Sequence, residues 1–304
     1  MYISKIPLIE SGKIFPSEIM AILTALRETA VSFEKIDNII VIARAYGGVI
    51  RDALEGFPIN DIDVVIEGTS IFNFTKKLCD FFPNVIDDYS TIMYDKRKKD
   101  CEITLHIGTK FGKIIDIAHC YYNGKPDLLS NIIDRDFTIN TIHLNLNEMK
   151  IEDFLNGFDD FEKRILRTPR PAEIEYREEP NTIMRAMRFV HKYNLILNDS
   201  EKILPEWLQN LEMSWIHDEV KKSLKNGNIR NYFKLLIDHK LFPFIFGDFK
   251  WDYQKVLRIE DSFENEKEIY FYLFTECVND ISEVNLNNFL KYGFSQEDIN
   301  NVQL

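Results

Sequence analysis

Two aspartates two positions apart, Asp61 and Asp63, are the residues of this sequence best suited to bind a metal ion. They lie on a predicted strand, where residues i and i+2 face the same side, so both carboxylates project together. Carboxylate oxygens are the ligands that hard divalent cations prefer. A pair of this kind is more often a solvated strand edge when it stands alone. The metal site is therefore a hypothesis that needs support from neighbouring residues.

That support comes from a pair of glycines shortly before the aspartates. An apolar strand predicted at Ile39 to Ala43 leads to Gly47 and Gly48, and a short helix is predicted at Val49 to Leu54. Glycines after a strand allow a ligand to approach the backbone, and a helix N-terminus offers N–H groups to phosphate. A Gly-Gly pair is usually only a turn. The combination of a phosphate cradle with paired carboxylates suggests metal-assisted chemistry on a nucleotide.

The whole stretch has the pattern GG-x-x-RD-x-x-x-G-x-x-x-x-D-x-D over residues 47–63. It resembles the catalytic signature of class II tRNA nucleotidyltransferases (CCA-adding enzymes) and bacterial poly(A) polymerases, within the polymerase-β nucleotidyltransferase superfamily. The resemblance implies an α+β fold, with a polymerase-β-like head followed by an all-helical neck and body. We expect the head to occupy residues 1–150, and the helical neck, body and a short tail to occupy residues 151–304. Helices followed by strands around a carboxylate cluster fit an α+β head independently.

A third carboxylate, Asp116, lies within the apolar segment KIIDIAH. Burial of a charged residue in such a strand is costly without a partner or a metal, although an Asp at a sheet edge facing water is an alternative. In the resembled family an acidic residue at this place joins the paired aspartates. The resemblance thus implies that Asp61, Asp63 and Asp116 are the catalytic residues and hold two Mg²⁺ ions.

Two further blocks resemble nucleotide-binding motifs of the family. Residues 134–141, DRDFTINT, are similar to R-R-D-F-T-x-N-A, and residues 178–189 are similar to E-D-P-x-R-x-L-R-A-x-R-F. The sequence departs from these patterns at Asp134, Glu179 and Thr182. A Thr is too short to replace the forked donors of an Arg that reads a base edge. The resemblance implies nucleotide contacts by Gly47, Gly48, Arg51, Asp52, Arg135, Asp136, Asn140, Glu179, Thr182, Arg185 and Arg188, although Asp52 fits an ion-pair brace equally well.

The implied function is metal-dependent, template-independent transfer of NMP from an NTP, ATP and/or CTP, to an RNA 3′ end. Transfer to tRNA is the leading expectation. A diverged paralogue that modifies a protein or small molecule is an alternative, and a non-catalytic protein that binds nucleotide or RNA is a weaker one. Intact candidate metal carboxylates argue against the last.

Composition sets bounds on these alternatives. The 304 residues are 45% hydrophobic and 13% aromatic, as in a folded globular protein. The net charge of −12 opposes RNA binding, which draws on Lys and Arg, but basic residues cluster at 96–99 and 163–192. We find no long apolar run, so we expect a cytoplasmic protein with no membrane partner. The sequence leaves the oligomeric state open.

Overall fold

The protein divides into two compact units. The computed structural model describes residues 6–87, 93–97, 102–119, 121–122, 125–198, 202–263, 265–280, 284, 286–292 and 294–295. One unit comprises Met1–Lys163 with Arg167–Arg170, and the other comprises Arg164–Leu166 with Pro171–Leu304. The first unit is a mixed helix and sheet structure and the second is mostly helical. The α+β fold class expected from the sequence is confirmed.

A seven-stranded sheet organises the first unit, in the order β3-β4-β5-β2-β1-β8-β9. Its strands are β1 (Ile42–Tyr46), β2 (Asp61–Glu67), β3 (Met93–Arg97), β4 (Glu102–Gly108), β5 (Ile114–His119), β8 (His143–Asn145) and β9 (Lys150–Glu152). Two short strands, β6 (Tyr121–Tyr122) and β7 (Lys125–Pro126), form a separate pair. Within the large sheet β2 and β5 run parallel, and the other neighbouring strands are antiparallel. The sheet continues past residue 150, where we expected the head to end.

The helices of this unit are α1 (Ile6–Glu10), α2 (Ser17–Ser32), α3 (Gly48–Glu55), α4 (Ile71–Phe81), α5 (Leu128–Ile133) and α6 (Gly157–Glu162). A π-helical turn follows α2 at Phe33–Asp37, and a 3-10 turn spans Thr138–Asn140. The side chain of Ser70 caps α4 by accepting a hydrogen bond from the Asn73 N–H at 3.1 Å. Helices α2 and α4 pack against each other and against β1 and β5.

The first predicted strand lies later than its apolar run suggested. The run begins at Ile39, but β1 begins at Ile42, and Ile39 and Ile40 are 42% and 71% exposed. Asn38 adopts a left-handed conformation with φ of 54°, which ends the preceding helical turn. The residues that follow Asn38 connect this turn to the sheet. Ile39 and Ile40 therefore lie outside β1, although both are apolar.

The two faces of the sheet differ sharply in polarity. On β2 and β5 the side chains of Ile62, Val64, Ile66, Ile115 and Ile117 are at most 1% exposed, and they form an apolar face. Residues alternate between faces along a strand, so Asp61, Asp63 and Asp116 belong to the opposite face. Burial of the apolar side chains therefore sets which face carries the carboxylates. A one-residue shift of a strand would move its apolar side chains to the carboxylate face and its carboxylates to the apolar face.

The second unit contains α7 (Ala172–Glu178), α8 (Asn181–Tyr193), α9 (Met213–Leu224), α10 (Ile229–Asp238), α11 (Phe242–Phe246), α12 (Tyr253–Val256), α13 (Glu266–Glu276) and α14 (Leu286–Lys291). A two-residue parallel pair joins β10 (Ile165–Leu166) to β11 (Ile196–Leu197), and a 3-10 turn spans Pro205–Asn210. Aromatic rings fill much of the core of this unit. For example, the ring centres of Phe242 and Phe246 lie 4.7 Å apart. Among the helices that the structure describes, none combines the length and apolar character needed to cross a bilayer.

Candidate active site

The candidate catalytic carboxylates meet on two adjacent parallel strands. Asp63 on β2 is in register with Asp116 on β5, although 53 positions of sequence separate them (116 − 63). Asp61 precedes Asp63 by two residues on the same face and is exposed at the start of β2. The structure therefore brings together the three carboxylates that the sequence singled out.

Side chains on neighbouring strands extend this pair into a row across the sheet. His106 on β4 is in register with Asp116, and its Nδ1 lies 2.7 Å from Asp116 Oδ1. Tyr46 on β1 is in register with Asp63 on one side and with His143 on the other. None of the sequence motifs includes His106, Tyr46 or His143. In the sequence each is a polar or amphipathic side chain in an apolar strand. That pattern suggests a functional residue but does not identify its neighbour on the adjacent strand.

Within the row, the surroundings of Asp63 disfavour its ionised form. Burial, together with the nearby charges of Asp61 and Asp116, raises the pKa of the Asp63 carboxyl to about 6. Arg135 and Arg51 act in the opposite direction but do not cancel these effects. A cation between the carboxylates would favour their ionised forms, so their charge and oxygen donors suit a hard divalent ion such as Mg²⁺.

The side chains as positioned do not form a complete coordination shell. Within the described part of the chain, no group of three His, Cys, Asp or Glu residues is arranged closely enough to hold a metal ion. One oxygen of Asp116 is hydrogen-bonded to His106. The donor types fit a divalent cation, and rotation of the carboxylates would be needed to gather them around it.

The Gly-Gly turn lies beside this row because it directly follows Tyr46. Gly47 has φ of 65° and ψ of −115°, a conformation that favours glycine, and α3 begins at Gly48. A Cβ on Gly47 would lie 3.8 Å from the backbone oxygen of Asn140. The turn is thus held close to the Thr138–Asn140 turn, which belongs to the second predicted motif.

A hydrogen-bond network joins the two motifs. Arg51 on α3 donates through Nη1 to Asn140 Oδ1, across 89 positions of sequence. Asn140 Nδ2 donates in turn to Asp136 Oδ1 at 2.7 Å, and the same oxygen accepts from the Phe137 N–H at 2.8 Å. Asp52 lies beside Arg51, with Oδ1 3.6 Å from Arg51 Nε. The network orients Arg51 and Asp136 relative to the Gly-Gly turn.

Arg135 is held against an aromatic ring. Its guanidinium carbon lies 3.6 Å from the centre of the Tyr46 ring, and its Nη2 donates to Asn131 Oδ1 at 2.8 Å. A cation over an aromatic face is attracted to the ring and keeps a defined orientation. Because Tyr46 is in register with Asp63, Arg135 brings positive charge close to the carboxylates.

The remaining predicted residues lie in the second unit. Glu179 directly follows α7 as its C-cap and is exposed, whereas Thr182 on α8 is only 5% exposed. Arg185 is half-buried, with its guanidinium carbon 5.8 Å from the centre of the Phe189 ring. Arg188 donates through Nε to the buried Glu219 at 2.6 Å, and Lys222 also pairs with Glu219. One donor of Arg188 is thus engaged inside this unit.

Comparisons with known proteins agree with these motifs. The family described as the poly(A) polymerase head domain matches residues 43–167. The chain is 31% identical over 228 residues to tRNA nucleotidyltransferase cca1 of Schizosaccharomyces pombe, covering 67% of this chain and 45% of that protein. It is 27% identical over 230 residues to an A-adding tRNA nucleotidyltransferase of Aquifex aeolicus, covering 71% of this chain and 27% of that protein. The chain thus spans less than half of either relative.

Solved structures show the same fold. The CCA-adding enzyme of Thermotoga maritima, solved in complex with tRNA, matches with a TM-score of 0.72 at 19% identity, over 97% of this chain and 71% of that one. The structural match covers the helical unit as well as the head. The match of residues 43–167 to the poly(A) polymerase head domain and the similarity to tRNA nucleotidyltransferases confirm the resemblance that the sequence motifs indicated.

Proposed function

We propose that this protein is a nucleotidyltransferase that transfers NMP from ATP and/or CTP to the 3′ end of an RNA, with tRNA as the acceptor. The observation that carries the proposal is the register of Asp63 with Asp116 beside the Gly-Gly turn, inside a poly(A) polymerase head domain. The relatives named as tRNA nucleotidyltransferases support tRNA as the acceptor.

The proposed reaction joins an acceptor hydroxyl oxygen to the α-phosphorus of the NTP and releases pyrophosphate. Asp61, Asp63 and Asp116 would hold two Mg²⁺ ions, which when bound polarise phosphoryl oxygens and promote loss of the hydroxyl proton. Positive charge on Arg51 and Arg135 and the backbone N–H groups near the Gly-Gly turn would hold the triphosphate.

The network around Asn140 gives the sugar a defined set of polar groups. We assign Asp136 and Asn140 to the ribose hydroxyls, because a carboxylate accepts and an amide both donates and accepts hydrogen bonds. Asp52 fits better as an ion-pair brace for Arg51, given their 3.6 Å separation. Nucleotide contacts by Glu179, Thr182, Arg185 and Arg188 stay a prediction that rests on the resemblance.

The first test is transfer of labelled NMP to total tRNA in the presence of Mg²⁺, resolved on a denaturing gel. We expect labelled tRNA with the unmodified protein and a loss of at least about a hundredfold in rate with Asp63→Asn, since a metal ligand would be lost. The matched control is Asp159→Asn, which alters an exposed carboxylate that pairs with the exposed Lys163. Full activity of Asp63→Asn would contradict the assignment of the carboxylates.

Thr182 favours a second candidate, transfer of NMP to an acceptor other than tRNA. In the resembled motif this position is an Arg that reads the base, and here it is a short side chain with 5% exposure. Thr182 therefore cannot select a base through the paired N–H donors of a guanidinium group. Label incorporated into protein or a small molecule, with none on tRNA, would support this candidate over the first.

A further inference from the structure

His106 makes a direct contact with the candidate metal site that no sequence motif indicates. It lies on β4 in register with Asp116, and its Nδ1 is 2.7 Å from Asp116 Oδ1. The side chains of His106 and Asp116 are 21% and 19% exposed, so water covers only part of the pair. The contact joins β4 to β5, whereas Asp63 lies on β2, on the other side of β5.

The direction of this hydrogen bond follows from its partner. A carboxylate only accepts hydrogen bonds, so His106 donates through Nδ1–H. The flanking residues Leu105 and Ile107 are 2% and 1% exposed, and they fix β4 through the opposite face of the sheet. The imidazole is therefore presented to Asp116 from a strand whose position is set by core packing.

Asp116 needs such a donor because its other neighbour has the same charge. Asp63 and Asp116 are in register on adjacent strands, which places their backbones about 4.8 Å apart. Two carboxylates at this spacing repel each other, and an unrestrained Asp116 would rotate away. A donor on the far side holds one oxygen and leaves the second oxygen for a cation.

We propose that His106 is a positioning residue that orients the Asp116 carboxylate to bind a divalent cation. This inference rests on the proposed function, since it takes Asp116 as a metal ligand. Hydrogen-bond partners of metal ligands commonly contribute ten- to a hundredfold to metal affinity, because they hold the ligand in its binding orientation. In this role His106 acts through Asp116 and not on the substrate or the reacting atoms.

The test compares two substitutions of His106 in the full chain, with Mn²⁺ binding measured by titration at one fixed pH and without nucleotide. His106→Asn retains an N–H donor near the position of Nδ1, whereas His106→Leu retains bulk and removes the donor. We expect His106→Leu to weaken Mn²⁺ binding about tenfold and His106→Asn to weaken it by less than about threefold.

A purely structural role predicts the opposite order. Asn is disfavoured in strands relative to apolar residues, so His106→Asn would then be the more damaging change. Thermal unfolding of each variant without metal separates this effect from metal binding. Equal or tighter Mn²⁺ binding by His106→Leu in a folded protein would overturn the proposal.

Asp116→Asn separates this inference from the proposed function. If the unmodified protein binds Mn²⁺ and Asp116→Asn does not, Asp116 is a metal ligand and the His106 variants decide the positioning role alone. If the unmodified protein and Asp116→Asn bind Mn²⁺ equally, or neither binds it, the metal assignment and the role of His106 both fall. Binding lost in Asp116→Asn but unchanged in His106→Leu would overturn only the inference about His106.

Discussion

At the scale of single residues, His143 is a buried base whose charge state bears on stability. Burial lowers the pKa of His143 from 6.5 to about 3, with smaller effects from Arg135 and Arg44, and its Nδ1 lies 2.8 Å from the Thr141 carbonyl oxygen. Because the folded pKa lies below the unfolded value, stability is full above pH 6.5 and falls as the unfolded chain takes up a proton. Between pH 7.5 and pH 5 the loss from this residue is roughly 2 kcal/mol.

The measurement is urea unfolding of His143→Asn and the unmodified protein at both pH values. Asn keeps a donor for Thr141 and never becomes charged, but it loses ring contact with Tyr46, whose centre is 5.4 Å away. We expect the variant to be less stable at pH 7.5 and the difference in unfolding free energy to narrow by roughly 2 kcal/mol at pH 5. A difference that does not change with pH would show that His143 titrates normally in the folded protein.

At the level of secondary-structure elements, two helices begin with a glycine, and the space available for a Cβ atom differs between them. Gly157 opens α6, and a Cβ there would lie 2.0 Å from the Thr138 backbone oxygen, in the turn that carries Asn140. Gly48 opens α3, and a Cβ there would lie in ordinary van der Waals contact with Arg51 Nη2, at 3.6 Å. We expect Gly157→Ala to lower the unfolding free energy by about 1–3 kcal/mol or more, because the backbone contact must open. Gly48→Ala is the matched control, with a small change in thermal stability; equal effects would contradict the steric argument.

At the scale of the whole molecule, a net charge of −12 works against association with RNA. If the protein binds tRNA, clustered Lys and Arg must contact the phosphates, and each contact releases counterions. Of the expected basic clusters, the side chains at 96–99 lie outside the described residues. We expect tRNA affinity to fall roughly a thousandfold between 50 and 200 mM salt if about six phosphates are contacted. Gel-shift titrations across this range test it, and affinity independent of salt would contradict binding through phosphates.

Features that depend on contiguous residues could be read from the sequence. The Gly-Gly turn, helix α3 and the shared face of Asp61 and Asp63 follow from local periodicity and turn chemistry, and the structure contains all three. The start of β1 was misplaced by three residues, since apolar character alone does not show where a helical turn ends. Asn38 indicates where this turn ends, because Asn is common in the left-handed conformation that terminates helices.

The chemically active residue types can be read from the chain directly: an acidic pair, a Gly-Gly turn, and motifs with the spacing of a nucleotidyltransferase. Which of these residues become neighbours depends on the folded arrangement of the strands and helices. Asp116 meets Asp63, His106 meets Asp116, and Arg51 reaches Asn140 through strand register and packing. Register between distant strands depends on burial of the opposite apolar face, a property of the assembled sheet that no single segment of sequence contains.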